Sequence, residues 1–151
     1  MKPVTGFRAR QWSASRGFTL IEVMIVIVIV GVLLAIAMPS YENSMQKGRR
    51  ADAKSALLDI ANQQEQFMLD QGTYTVDVED LGFGAGPYVS EEEHYTVGIA
   101  ACGTGTIANC YVLTATPRAG SPQADDLRCT QFVLRSNGSK EASGSDPDSC
   151  W

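Results

Sequence analysis

The chain has 151 residues, room for about one compact domain, and its formal charge of −5 is unevenly distributed. Residues 1–17 hold four basic side chains and no acidic one, which leaves 8 basic against 17 acidic side chains, a formal charge of −9, in the remainder. An acidic body repels phosphate backbones and gives no general support for nucleic-acid binding. The patterns GxSxG, HExxH and the Walker loop are absent from the sequence, so we expect a protein that is not an enzyme, with no cofactor and no metal.

The first predicted element is an apolar helix over residues 18–38, which read FTLIEVMIVIVIVGVLLAIAM. About 20 helical residues cover the roughly 30 Å hydrocarbon core of a bilayer. Basic residues precede the helix, so the positive-inside bias keeps residues 1–17 in the cytoplasm and sends the rest outward. Ordinary signal-peptide cleavage is disfavoured, because the apolar run is long and ends in Met38-Pro39-Ser40-Tyr41 rather than in a small-residue site.

A carboxylate inside this apolar run is unusual for a simple membrane anchor. Glu22 would cost about 2.5–3.5 kcal/mol near a bilayer centre, so it indicates a function and needs a partner. Gly31 and Pro39 are the positions where the helix is expected to be least stable, because glycine lowers helix stability and proline removes a backbone hydrogen bond. We expect a helix kink there.

Beyond Pro39 the helix is expected to continue to Gln71 and to stop at Gly72. Its apolar positions recur at three- and four-residue spacing, which predicts a stripe that packs on another element. The stripe consists of Ala53, Leu57, Ile60, Gln64, Phe67 and Met68.

The C-terminal half has strand character after a loop expected over residues 72–94. Strands are predicted over 95–101, 111–116, 130–135 and 140–142, with Asn137-Gly138 as a two-residue hairpin turn. An antiparallel sheet of three to four strands on the helix stripe would cover both apolar surfaces, giving an α+β fold.

All four cysteines lie in the last third of the chain and no CxxC pattern occurs, which favours disulfides and an oxidising compartment over a metal site. They allow three connectivities, and the sequence does not decide among them. We favour Cys102–Cys110 and Cys129–Cys150, because each pair brackets a loop rich in Gly, Asn or Ser. On the loop-entropy relation these bonds would stabilise the fold by about 2.5 and 3.5 kcal/mol.

The segment Arg16-Gly17-Phe18-Thr19-Leu20-Ile21-Glu22, followed by the apolar run and Pro39-Ser40-Tyr41, resembles the N-terminal signature of type IV pilins and related pseudopilins. The resemblance implies a long N-terminal helix packed on an antiparallel sheet, with a C-terminal disulfide loop closed here by Cys129 and Cys150. It also implies three segments: a leader over 1–17, a transmembrane and filament-core helix over 18–38, and a periplasmic or extracellular globular domain over 39–151.

The same resemblance implies how the chain is processed and assembled. A prepilin peptidase would cut between Gly17 and Phe18 and methylate the new amine of Phe18, and Glu22 of an incoming subunit would pair with that amine on a neighbour. The implied partners are other pilin subunits, the peptidase and methyltransferase, and an assembly platform in the inner membrane. The precursor would cross the inner membrane once, with its leader cytoplasmic and its body periplasmic, before it enters an extracellular pilus.

These features predict a structural subunit similar to PilE-type minor pilins, which supports pilus biogenesis, adhesion, twitching motility or DNA uptake. One alternative is a pilus-displayed DNA receptor of the ComP kind, in which a local basic stripe overcomes the acidic total. That stripe would consist of Arg118, Arg128, Arg135 and Lys140. The other alternative is a type II secretion pseudopilin, although the cysteine-closed tail argues against it.

Overall fold

The structure, a computed structural model, describes residues 17–151 and consists of one long helix and one sheet. The chain divides into a unit that ends at Pro39 and a unit that spans Ser40–Trp151. The elements are α1 (Leu20–Gln71), β1 (Tyr88–Val89), β2 (Tyr95–Ala101), β3 (Tyr111–Pro117), β4 (Gln131–Arg135) and β5 (Lys140–Ser143), with short 3-10 helices at Pro122–Asp125 and Pro147–Ser149.

Residues 20–38 of the N-terminal unit form an apolar helical segment whose side chains are exposed. Helix α1 begins after Thr19, whose Oγ1 accepts a hydrogen bond from the backbone N–H of Glu22 at 3.3 Å, as a capping residue does. Residues 18–38 are all exposed, and this part of α1 is long and apolar enough to cross a membrane. The helix assignment passes through Gly31 and Pro39 without a break, so the kink at these positions stays a prediction.

The sheet is antiparallel throughout, in the order β1-β2-β3-β4-β5. It therefore has five strands, whereas the sequence predicted three to four. The additional strand is β1, where Tyr88 pairs with Val97 and Val89 with Thr96. The two residues of β1 lie in a glycine-rich loop and are too few to show an alternation of apolar and polar side chains. Only their pairing with β2 makes them a strand.

The apolar stripe of α1 packs on one face of the sheet, as predicted. Ala53, Leu57, Ile60 and Gln64 are fully buried on the helix side. The sheet contributes alternate residues, which is the pattern expected when one face of each strand faces the core. The core residues of the strands are Tyr95, Val97, Tyr111, Leu113, Ala115, Phe132 and Leu134.

Two glycines, one after α1 and one in the β4–β5 turn, have backbone angles in the left-handed region. Gly72 follows α1 with a φ of +71° and donates its N–H to Met68 O at 3.0 Å, which makes it the expected helix stop. Gly138 has a φ of +80° and donates to Arg135 O at 2.8 Å. Asn137 has no positive φ, so the β4–β5 hairpin has a longer loop than the two-residue turn that we predicted, with glycine at its one left-handed position.

Candidate functional site

The residues around the expected cleavage point lie at the exposed start of α1. Phe18 is 83% exposed, and with Glu22, Val23 and Val26 it lines a shallow groove of about 210 Å³. Glu22 is in the first helical turn, where the helix dipole favours a negative charge. Gly17 adjoins Phe18 and is exposed, whereas the basic leader residues Lys2, Arg8, Arg10 and Arg16 lie outside the described residues.

The C-terminal segment is attached to the body by a disulfide and by backbone hydrogen bonds. Disulfides join Cys129 to Cys150 and Cys102 to Cys110, and the first of these pairs is fully buried. Gly144 passes so close to the segment before β4 that an added Cβ would lie 2.2 Å from Arg128 O. Its φ of +138° is also unfavourable for any other residue, so this approach requires glycine.

A buried ion pair connects α1 to the start of this segment. Arg50 Nε and Nη2 donate to the two carboxylate oxygens of Asp126 at 2.7 and 2.9 Å. Asp126 Oδ1 also accepts the backbone N–H groups of Arg128 and Cys129, at 3.2 and 3.3 Å. Burial opposes ionisation of Asp126, but the hydrogen bonds and charge of Arg50, helped by those two N–H groups, lower its pKa.

Sequence reasoning missed this ion pair, because its members are 76 residues apart. A signal was present in the helix pattern. Arg50 lies three residues before Ala53 and seven before Leu57, on the face that packs on the sheet. A charged residue on a core stripe needs a buried partner.

A second carboxylate of α1 holds the loop before β2. Asp52 Oδ2 accepts a hydrogen bond from Ser90 Oγ, and Asp52 Oδ1 accepts one from the backbone N–H of Glu92 at 3.2 Å. The three consecutive glutamates of this loop are exposed, as expected for a solvated run. Glu93 adopts a positive φ of 59°, and the His94 ring lies 3.6 Å from the Glu92 carboxylate.

The structure divides the four residues of the predicted basic stripe between opposite ends of the sheet. Arg118 follows β3, and Arg128 precedes β4 at the same end. Arg135 and Lys140 flank the β4–β5 turn at the other end. The four residues therefore do not form one stripe.

Each of the three arginines is bonded to an exposed carboxylate. Arg118 pairs with Glu93 at 3.3 Å. Arg128 pairs with Asp146 at 2.8 Å, and Arg135 pairs with Glu141 at 2.9 Å. Over residues 17–151, no group of three or more His, Cys, Asp or Glu side chains could hold a metal ion.

Comparison with known families covers both units of the chain. Residues 12–38 match the family described as "Prokaryotic N-terminal methylation motif". Residues 39–133 match the family described as "Type IV minor pilin ComP, DNA uptake sequence receptor". The chain belongs to the type IV pilin family. This pilin is therefore a pilus-associated structural protein and not an enzyme.

Several curated relatives resemble this pilin in part. The Type IV major pilin protein PilA of Myxococcus xanthus (strain DK1622) is 34% identical over 108 residues, which are 72% of this chain and 47% of the relative. The Type IV major pilin protein PilE of Neisseria gonorrhoeae is 37% identical over 84 residues, 50% of this chain and 48% of PilE. The Type II secretion system core protein G of Dickeya chrysanthemi is 36% identical over 67 residues, 44% of each chain. This pilin thus spans about half the length of these relatives.

Two solved structures align with part of this pilin at low sequence identity. A type IV pilin from Shewanella oneidensis aligns with a TM-score of 0.46 at 22% identity, over 70% of this pilin and 97% of that chain. The non-core minor pilin PilV of Neisseria meningitidis aligns with a TM-score of 0.49 at 21% identity, over 68% of this pilin and 91% of PilV.

Proposed function

We propose that this pilin is a minor subunit of a type IV pilus whose exposed body binds DNA. The observation that carries the proposal is the match of residues 39–133 to the family described as a minor pilin and DNA uptake sequence receptor. This range contains β1 to β3 and most of the residues that connect the sheet to α1.

Processing at the N-terminus would prepare the subunit for the filament. A peptidase would cut between Gly17 and Phe18 and methylate the new amine, which removes the four basic side chains of the leader. The exposed glycine supports this step, because it lets a protease approach the backbone closely. Before assembly, residues 18–38 would anchor the precursor in the inner membrane, with its cysteine-containing body on the oxidising side.

In the apolar filament core the Glu22 carboxylate needs a cationic partner, and the Phe18 amine of a neighbouring subunit would supply it. A low dielectric strengthens their attraction and also raises the cost of desolvation, so we assign the pair to subunit register rather than to net stability.

DNA binding by an acidic body requires local cations, and the exposed arginines are candidates. Arg118, Arg128 and Arg135 are engaged with carboxylates, but exposed ion pairs of this kind contribute only about 0.2–1 kcal/mol. Exchanging such a carboxylate for a phosphate therefore costs little.

The decisive experiment measures DNA binding by residues 40–151, which form a compact unit that contains the whole hydrophobic core. Fluorescence anisotropy with a labelled duplex over a salt series should give a linear log–log dependence, with a slope of about −0.9 per phosphate contact. Competition with unrelated duplexes then measures the sequence preference. No binding at low salt would remove the receptor function and leave a structural minor pilin.

A second candidate, a type II secretion pseudopilin, is favoured by the identity to core protein G noted above. Mass spectrometry of purified pili separates the two. A minor pilin should occur at a small fraction of the major subunit, beginning at a methylated Phe18, and total absence from pili would overturn the filament assignment.

A further inference from the structure

Four cations of the body lack an ion pair within the part of the chain that the structure describes. They are Lys47, Arg49, Lys54 and Lys140, and none lies within 4.0 Å of a described carboxylate. The remaining cations, Arg50 and the three exposed arginines, are all paired. The unpaired positive charge of this acidic body is thus carried by three cations of α1 and by one lysine of β5.

The register of the β4–β5 pair places Lys140 on the helix side of the sheet. Lys140 lies directly opposite Leu134, which is buried in the core beneath α1. Residues directly opposite in an antiparallel pair project to the same face, and neighbours along a strand project to opposite faces. Glu141 therefore lies on the outer face with Arg135, to which it is bonded, and does not neutralise Lys140.

Lys54 faces the same region from α1. It is half-buried beside Ala53 and one turn after Arg50. Burial, followed by repulsion from Arg50 and from Lys140, lowers the pKa of Lys54. Both lysines thus lie on the side of the sheet that α1 covers, and no described carboxylate forms an ion pair with either one.

The C-terminal residue holds Lys140 in position. The Lys140 ammonium lies 5.0 Å from the centre of the Trp151 ring, within the range of a cation–π contact. The indole N–H donates to Glu141 O at 2.7 Å, and the ring packs edge-to-face on Phe132 with centroids 5.8 Å apart. Because Trp151 adjoins Cys150, this contact places Lys140 beside the buried Cys129–Cys150 disulfide.

We infer that Lys54, Lys140 and Trp151, here called the lysine–tryptophan patch, form a site that binds the phosphodiester backbone of DNA. A phosphate bound at the patch would form attractive contacts with these unpaired ammonium groups and release condensed counterions. Lys47 lies two helical turns before Lys54, about 10 Å along the same face of α1, and extends the patch. The inference deepens the proposed DNA-binding function and rests on it.

The test compares Lys54→Gln and Lys140→Gln in the 40–151 fragment with Arg49→Gln as the matched control. The control removes the same charge from another cation of α1 that has no ion pair among the described residues and lies on a different face of the helix from Lys47 and Lys54. Each lysine variant should weaken duplex binding about five- to tenfold at 0.1 M salt and reduce the salt slope by about 0.9. Lys140→Arg should retain binding, and Arg49→Gln should change affinity less than twofold.

Four outcomes would overturn the patch. If wild-type fragment binds DNA and the lysine variants bind equally well, the receptor function stands and the site is elsewhere. If all charge-removing variants weaken binding equally, the attraction is diffuse and no patch exists. If the lysine variants lose binding to vesicles of anionic phospholipid but not to duplex DNA, the site serves a membrane. Loss of wild-type binding at low salt would overturn the proposed function and the patch together. Circular dichroism and the thermal midpoint confirm that each variant is folded.

Discussion

Arg50 on α1 and Asp126 before the Cys129–Cys150 loop form a two-pronged ion pair with both side chains almost fully buried, at 3% and 0% exposed. The pair links the helix that would enter the filament to the segment that carries the C-terminal disulfide. The carboxylate also caps two backbone N–H groups of that segment. Loss of the Asp126 carboxylate would therefore break the contact with α1 and leave the two backbone N–H groups of the C-terminal segment without this acceptor.

Replacing Arg50 by Met should destabilise the body by about 3–5 kcal/mol, because an uncompensated carboxylate would remain buried. Urea unfolding of the 40–151 fragment measures the change. The matched control is Arg135→Met, which breaks a solvent-screened pair with Glu141 and should lower the free energy of unfolding far less. The double variant Arg50→Met with Asp126→Asn should recover part of the loss; equal effects of the two single arginine variants would contradict this account.

The same pair predicts a pH dependence. The pKa of Asp126 is lowered in the folded state, so the stability it contributes is present above the unfolded pKa of about 3.9 and is lost as the pH falls through the folded value. When the pH drops below about 4, the urea midpoint of the wild-type fragment should decrease. The difference in urea midpoint between wild type and Asp126→Asn should shrink over the same pH range. A difference that stays constant from pH 7 to pH 2.5 would exclude Asp126 as the group responsible.

Gly144→Ala should loosen the C-terminal segment, because the new methyl group would meet Arg128 O and the backbone would be held at a φ of +138°. The backbone strain alone should lower the free energy of unfolding by about 1–3 kcal/mol, and the contact with Arg128 O adds to this. Gly84→Ala is the control, since an added Cβ there meets nothing within 4 Å and no positive φ is involved. Urea unfolding and hydrogen exchange at Asp146, whose N–H donates to Arg128 O, report the change, which should be absent in the control.

Gln64→Leu should destabilise the body by about 1–3 kcal/mol despite adding an apolar side chain to the core stripe. The Gln64 amide donates to Thr75 O at 2.6 Å and accepts from Thr75 N at 3.1 Å, so leucine would leave both buried backbone groups without a partner. The control is Gln66→Leu at an exposed position of the same helix. Faster hydrogen exchange of the Thr75 amide should accompany the loss, and unchanged exchange would argue against this role.

Glu22→Ala should leave membrane insertion and cleavage after Gly17 intact but reduce incorporation into pili, because the incoming subunit would lack a partner for the Phe18 amine. Immunoblots of membranes and of sheared pili measure the three steps. Glu42→Ala removes an exposed carboxylate of the same helix outside the apolar run and should assemble normally. Normal pilus content of the Glu22 variant would refute the charge-pairing role.

Much of the fold could be predicted because its signals are local. The apolar run at 18–38, the stripe from Ala53 to Gln64 and the β-branched strands each repeat with the period of their own element. The helix stop at Gly72 follows from backbone sterics at one position. The strand β1 escaped prediction because its two residues gain their conformation only from pairing with β2.

The candidate site divides in the same way. The Gly17-Phe18 and Glu22 pattern is contiguous in the chain, so sequence by itself determined the family resemblance and the expected cleavage point. The Arg50–Asp126 pair and the Asp52–Ser90 hydrogen bond join residues that are far apart in sequence. Only the tertiary structure decided them, because strand register and packing select which face each charge occupies and which opposite charge it can reach.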